Sequence, residues 1–161
     1  MFMFMNDASQ QWQEKWKDLC SLLPQKKEID VKNEVYYHWE LSKESIKIEV
    51  VIEFDKKNYC GIYYGCRTEK TNERNLILSK IDIPKIKDDY FAKYWSKRNS
   101  SSTRNDVESV FLLDDGHTSR DKYWPFWIRL EEKYPIKEAV DASIIIMESL
   151  KAQGWTLISI Q

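Results

Sequence analysis

Glycine and proline are scarce in this chain, with four of each among 161 residues. That scarcity excludes collagen-like, proline-rich and long glycine-loop architectures. An excess of one charge sign is also missing, because 25 basic residues against 26 acidic ones leave a formal net charge of −1. A balance this even argues against bulk electrostatic capture of DNA, and equally against a DNA mimic, which needs a dense acidic face. Cysteine is confined to Cys20, Cys60 and Cys66, an odd number with no CxxC spacing. No secretory signal stands ahead of them, so the sequence points to a reduced, cytoplasmic compartment. Long apolar runs are absent too. "MFMFM" at 1–5 is too short for a signal-peptide core or a membrane span.

What the chain has in quantity is aromatic mass: 14% of its residues, including seven Trp and nine Tyr. A disordered chain lacks such mass to offset its conformational entropy. The length fits one domain, residues 1–161. A domain of that size buries about two-thirds of its unfolded surface and folds without a metal or disulfide.

Periodicity divides the chain. Trp12, Trp16, Leu19 and Leu23 fall on one helical face, predicting a helix over roughly 8–23, capped by Asn6, Asp7 or Ser9 and ended by Pro24. "QKKEIDVKN" then reads as a charged connector. Ile46, Ile48, Val50, Ile52 and Phe54 alternate with Lys47, Glu49, Val51 and Glu53, the pattern of a half-buried antiparallel strand. With β-rich "EVYYHWEL" before it and "YCGIYYGCR" after it, residues 34–67 read as a three-stranded meander. Two helices follow, in "TNERNLILSKI" and in "IPKIKDDYFAKYWSKR", the second started by Asp88. The serine-rich stretch 96–106 predicts a mobile loop. "ESVFLL" reads as a short strand. Pro125 predicts a turn, with a short helix over 126–133. Ile136, Val140, Ser143, Ile144, Met147 and Leu150 stripe a last helix that Gly154 caps, and "WTLISI" closes as a strand. The sum is an α+β fold: a mostly antiparallel sheet, the meander plus later strands, with helices on one face.

Catalytic signatures are few. His38, His117 and the cysteines show no metal-ligand spacing, and no phosphate-cradling glycine motif or nucleophile elbow is present. The reading is therefore no catalytic residue, no metal and no cofactor. The one enzymatic alternative is a reduced Mg²⁺-dependent nuclease. Of three (D/E)xK triplets only Asp55-Lys56-Lys57 abuts a strong strand, and it sits in that strand's turn.

Binding surfaces are better represented. Lys47, Glu49 and Glu53 mix charge signs, as on a solvated sheet face. Tyr36, Tyr37, Tyr59, Tyr63 and Tyr64 occur on both parities of their strands. Some of them then stand exposed, and exposed tyrosine beside mixed charge suits an interaction surface; the alternative is that helices cover both faces of the sheet. "YWPFW" adds further aromatics around Pro125. Tyr63, Trp95, Tyr123, Trp124 and Trp127 are accordingly the candidate anchors for a protein partner. A second cluster, Lys85, Lys87, Lys93, Tyr94, Lys97, Arg98 and Arg104, interleaves cations with aromatics and is the candidate for RNA or single-strand binding.

"YYHWELSKESIKIEVVIEF", "GIYYG" and "YWPFWIRLEEKYP", followed by an amphipathic helix, resemble the segment after the catalytic core in some bacterial PD-(D/E)XK nuclease-superfamily proteins. The resemblance covers residues 34–150 and rests on aromatic spacing. The catalytic part has no counterpart here, so no active-site residue carries over. The resemblance implies an accessory domain acting in bacterial defence or in a mobile element's counter-defence. The expected function is thus a non-enzymatic protein-interaction domain that inhibits or assists a defence nuclease, of anti-CRISPR type. Its expected partner is a nuclease or nuclease–RNA complex, with RNA binding and homodimer formation as alternatives and no membrane partner.

Overall fold

The computed structural model describes residues 2–23, 27–31, 34–55, 61–68, 74–94, 112–113, 123–130 and 135–158. Its elements are α1 (Phe2–Leu22), β1 (Lys27–Val31), β2 (Glu34–Lys43), β3 (Ile46–Asp55), β4 (Ile62–Thr68), α2 (Arg74–Ser79), α3 (Ile83–Tyr94), β5 (Leu112–Leu113), β6 (Tyr123–Arg129), α4 (Lys137–Ala152) and β7 (Thr156–Leu157). The strands form one sheet in the order β1-β2-β3-β4-β6-β5, with β7 beside the far end of β2, and every pairing is antiparallel. The α+β class and the meander hold.

The period-two pattern places the core. Val35, Tyr37, Trp39 and Leu41 of β2 stand opposite Phe54, Ile52, Val50 and Ile48 of β3. Phe54, Ile52 and Val50 in turn face Ile62, Tyr64 and Cys66 of β4. All of these are buried on one face, under helices. Trp12, Trp16, Leu19 and Leu23 of α1 cover one part, with the Trp16 ring stacked on Phe54 at 5.9 Å and tilted against Tyr37 at 5.7 Å. Ile86 and Tyr90 of α3 and the buried stripe of α4 cover the rest, and the Tyr64 and Tyr90 hydroxyls approach to 3.4 Å across the interface. Fully burying each such apolar side chain contributes about 1.5–3 kcal/mol.

Local chemistry explains the boundaries. The β2–β3 connection is the two residues Glu44 and Ser45, with φ of 51° and 69°. Two successive left-handed residues make a type I′ hairpin turn, whose twist matches the flanking strands. Asp82 caps α3, accepting a hydrogen bond from the Lys85 amide at 3.1 Å, with Pro84 in the first turn. The helix therefore begins well before Asp88. At the end of α4 the Trp155 amide donates to the Leu150 carbonyl and the Gly154 amide to that of Lys151, both at 3.1 Å. That is a Schellman motif with glycine in its left-handed position, φ 94°.

Three expectations are corrected. The connector after the first helix contains β1, which pairs with residues 34–38. The first helix starts at Phe2, so Asn6, Asp7 and Ser9 lie inside it rather than capping it. The chain does not turn into a helix after Pro125, because residues 123–129 form a strand. The register explains how a proline fits there. Cys66 pairs with Phe126 but Thr68 with Tyr123, so β6 carries one extra residue against β4 at Trp124-Pro125. A bulge tolerates a residue without an amide donor. The serine-rich loop 96–106, Lys57 and Cys60 lie outside the described residues.

Candidate functional site

Two places in the described residues concentrate polar or recessed chemistry. The first is the sheet's second face. There the alternation puts Tyr36, His38 and Glu40 of β2 beside Glu49, Val51 and Glu53 of β3, and beside Tyr63, Gly65 and Arg67 of β4. This face is not the solvated surface that its mixed charges predict. Arg67 and Val51 are 0% exposed, His38 3% and Tyr36 4%.

Arg67 organises that face. Its Nε and Nη2 both donate to Glu49 Oε2, at 3.1 and 2.9 Å, and its Nη1 donates to Glu53 Oε2 at 3.3 Å. The guanidinium carbon lies 4.1 Å from the centre of the Tyr36 ring, a cation–π contact. His38 joins the cluster, with Nε2 3.8 Å from Glu40 Oε1 and Nδ1 3.9 Å from Glu49 Oε2. Burial alone lowers the pKa of a guanidinium, but Glu49 and Glu53 more than offset it and hold Arg67 above its ordinary value. Arg67 is therefore a permanent buried cation. Burial, helped by Glu49, pushes the neighbouring Cys66 thiol far up, which makes it inert rather than nucleophilic. With Glu49 and Glu53 committed to Arg67, the cluster fastens β2, β3 and β4 together, and its cation is fully buried. Among the described residues no group of three or more His, Cys, Asp or Glu is placed to hold a metal ion.

The second place is an open groove of about 390 Å³ between α3 and α4, lined by Asp89, Ala92, Ile144, Ile145, Glu148, Ser149 and Ala152. Gln153, capping α4, pins it at one end. Its Oε1 accepts from the Asp82 amide at 2.7 Å and its Nε2 donates to the Asp82 carbonyl at 3.2 Å. The start of α3 thus lies against the end of α4, and the two helices run antiparallel. Trp155 Nε1 donates to the Lys80 carbonyl at 3.1 Å and fixes the same corner. Along the rim, Lys85 donates to Asp89 at 2.9 Å and Lys151 to Glu148 at 3.5 Å. The hydrogen bond and charge of Lys85 hold the Asp89 carboxyl below its ordinary pKa. Ile144 is 41% exposed and packs into no core, although the helical stripe includes it.

The candidate residues distribute unevenly. Tyr63 is half-buried in β4, paired in register with Arg129. Tyr123, Trp124 and Trp127 lie in β6, an inner strand between β4 and β5. Tyr36, Tyr37 and Tyr64 are buried, leaving no exposed tyrosine face among them. Of the basic cluster, Lys85 and Lys87 stand on α3 beside Asp88 and Asp89, and Lys85 is engaged with Asp89. Lys93 and Tyr94 close that helix. Trp95, Lys97, Arg98 and Arg104 lie outside the described residues. Asp55 ends β3.

Sequence reasoning missed Arg67 and the groove. Arg67 had one signal, a lone cation in an otherwise apolar, aromatic strand on the same parity as Tyr63 and Gly65. The groove had none, because it arises from two helices that are far apart in the chain, the first ending at Tyr94 and the second beginning at Lys137. Among the described residues no helix is long and apolar enough to cross a membrane. Comparison with protein-family models, with curated proteins and with solved structures finds no match to this chain, so the nuclease-accessory resemblance and the function rest on its own residues.

Proposed function

We propose that this chain is a protein-interaction domain whose contact surface includes the α3–α4 groove, and that its partner is a defence nuclease which it inhibits or assists. The observation that carries the reading is the groove's make-up: apolar Ala92, Ile144, Ile145 and Ala152 line it together with Asp89 and Glu148, each carboxylate paired with a lysine. Apolar centre and polar rim are the anatomy of a protein interface. Exposure of Ile144 from a helical stripe whose other members are buried or partly buried supports it. The choice of a nuclease partner comes from the aromatic-block resemblance alone.

In-cell photo-crosslinking tests the reading. A photoreactive residue at Ala152 should trap one discrete protein, whereas the same residue at Gln11, exposed on α1, should not. Equal labelling from both positions would remove the groove from the interface.

A further inference from the structure

The charge layout of the α3–α4 groove narrows what it accepts, given the reading above that it is the interaction site. Among the described residues the titratable side chains that line it, Asp89 and Glu148, are carboxylates, one on each helix. Their lysine partners, Lys85 four residues before Asp89 and Lys151 three after Glu148, are themselves part-exposed and not among the lining side chains. Each lysine bonds a single oxygen, Oδ2 of Asp89 and Oε1 of Glu148. A carboxylate offers about four lone-pair sites, so each retains acceptor capacity for an incoming donor. The exposed pairs contribute little and yield readily to a better-placed cation.

We infer that the occupant is an amphipathic helix of a protein partner, with Lys or Arg side chains flanking its apolar stripe. The floor supplies the apolar half of the match, and Ala92 and Ala152 leave room for larger side chains from the partner. The carboxylates supply the ionic half. A helix fits better than an extended strand because it satisfies its own backbone hydrogen bonds, and the groove is walled by helices that offer no free strand edge.

The test uses the full chain, isotope-labelled, and two synthetic helical peptides with a leucine stripe, one flanked by Lys and the other by Glu at the same positions. The Lys peptide should bind about tenfold or more tightly than the Glu peptide at physiological salt, equivalent to about 1.4 kcal/mol. Its shift perturbations should centre on Ala92, Ile144, Ile145 and Ala152. The preference should disappear in an Asp89→Asn/Glu148→Gln double variant, and binding should be lost in Ile144→Asp. Equal binding of both peptides in the groove would overturn the charge selection and leave the interaction site standing. Lys-peptide binding that survives Ile144→Asp would overturn the inference as non-specific cation attraction. Failure of both peptides, with crosslinking from Ala152 intact, would overturn the helical occupant alone. Shifts at the same residues on adding single-stranded RNA would overturn the protein occupant.

Discussion

Arg67 is the residue on which the sheet's second face turns. Replacing it with alanine leaves Glu49 and Glu53, on the same face of β3, without their shared cation and removes the guanidinium packed on Tyr36. Removing one member of a buried pair costs about 3–5 kcal/mol, so Arg67→Ala should lower unfolding free energy by that order in denaturant titrations. Asp89 gives a milder, pH-resolved prediction. Its carboxyl is held low by Lys85, so its stabilising contribution is complete above the ordinary carboxylate pKa of about 3.9 and is lost as pH falls through its own lower value. A ¹³C-detected titration should find Asp89 below the ordinary range, and Lys85→Met should move it upward. A carboxyl unmoved by Lys85→Met would contradict the assignment. At this scale the sequence was least legible. The alternation on β3 shows which residues share a face but not whether something covers that face, and Lys47, Glu49 and Glu53 resemble a solvated row until Arg67 is seen across the strand.

Elements were more legible where their pattern is long and their ends carry a turn signal. The nine-residue alternation on β3, the Trp-Leu stripe of α1 and the α4 stripe with Gly154 each dictate one structure. β1 escaped because five residues with Ile29 and Val31 among charges give too short a pattern, and β6 because Pro125 reads as a break unless a bulge takes it in. The same backbone physics predicts opposite outcomes at two turns. Gly154 has φ 94°, and an added Cβ meets only the flexible end of Lys43, at 3.4 Å, so the backbone conformation decides the effect. Gly154→Ala should destabilise by about 1–2 kcal/mol, the cost of a left-handed L-residue. Ser45 already bears that cost at φ 69°, and Ser45→Gly should stabilise by roughly 0.5 kcal/mol once glycine's greater unfolded-state entropy is offset. Thermal melts of the two variants should move in opposite directions.

At the scale of the molecule, an antiparallel sheet carries helices on one face and an ionic cluster built around the buried Arg67 on the other. Helix packing on the first face leaves a groove that the fold does not fill. The aromatics that dominate the sequence serve mainly the interior where described: Trp12, Trp16, Tyr36, Tyr37, Trp39, Tyr64, Tyr90 and Trp155 are all buried. The α+β class followed from the order of patterned segments. The groove did not, because neither helix contains it. Ile144 is the most direct handle on its role, since an exposed position tolerates substitution within about 0.5 kcal/mol. The deciding measurement is affinity capture from lysate of the producing cell with wild-type chain and with Ile144→Asp, each with and without nuclease treatment. The account requires a defined protein retained by the wild type under both conditions and lost from the variant, at unchanged melting temperature. A partner held equally by Ile144→Asp, or released when nucleic acid is digested, would contradict it.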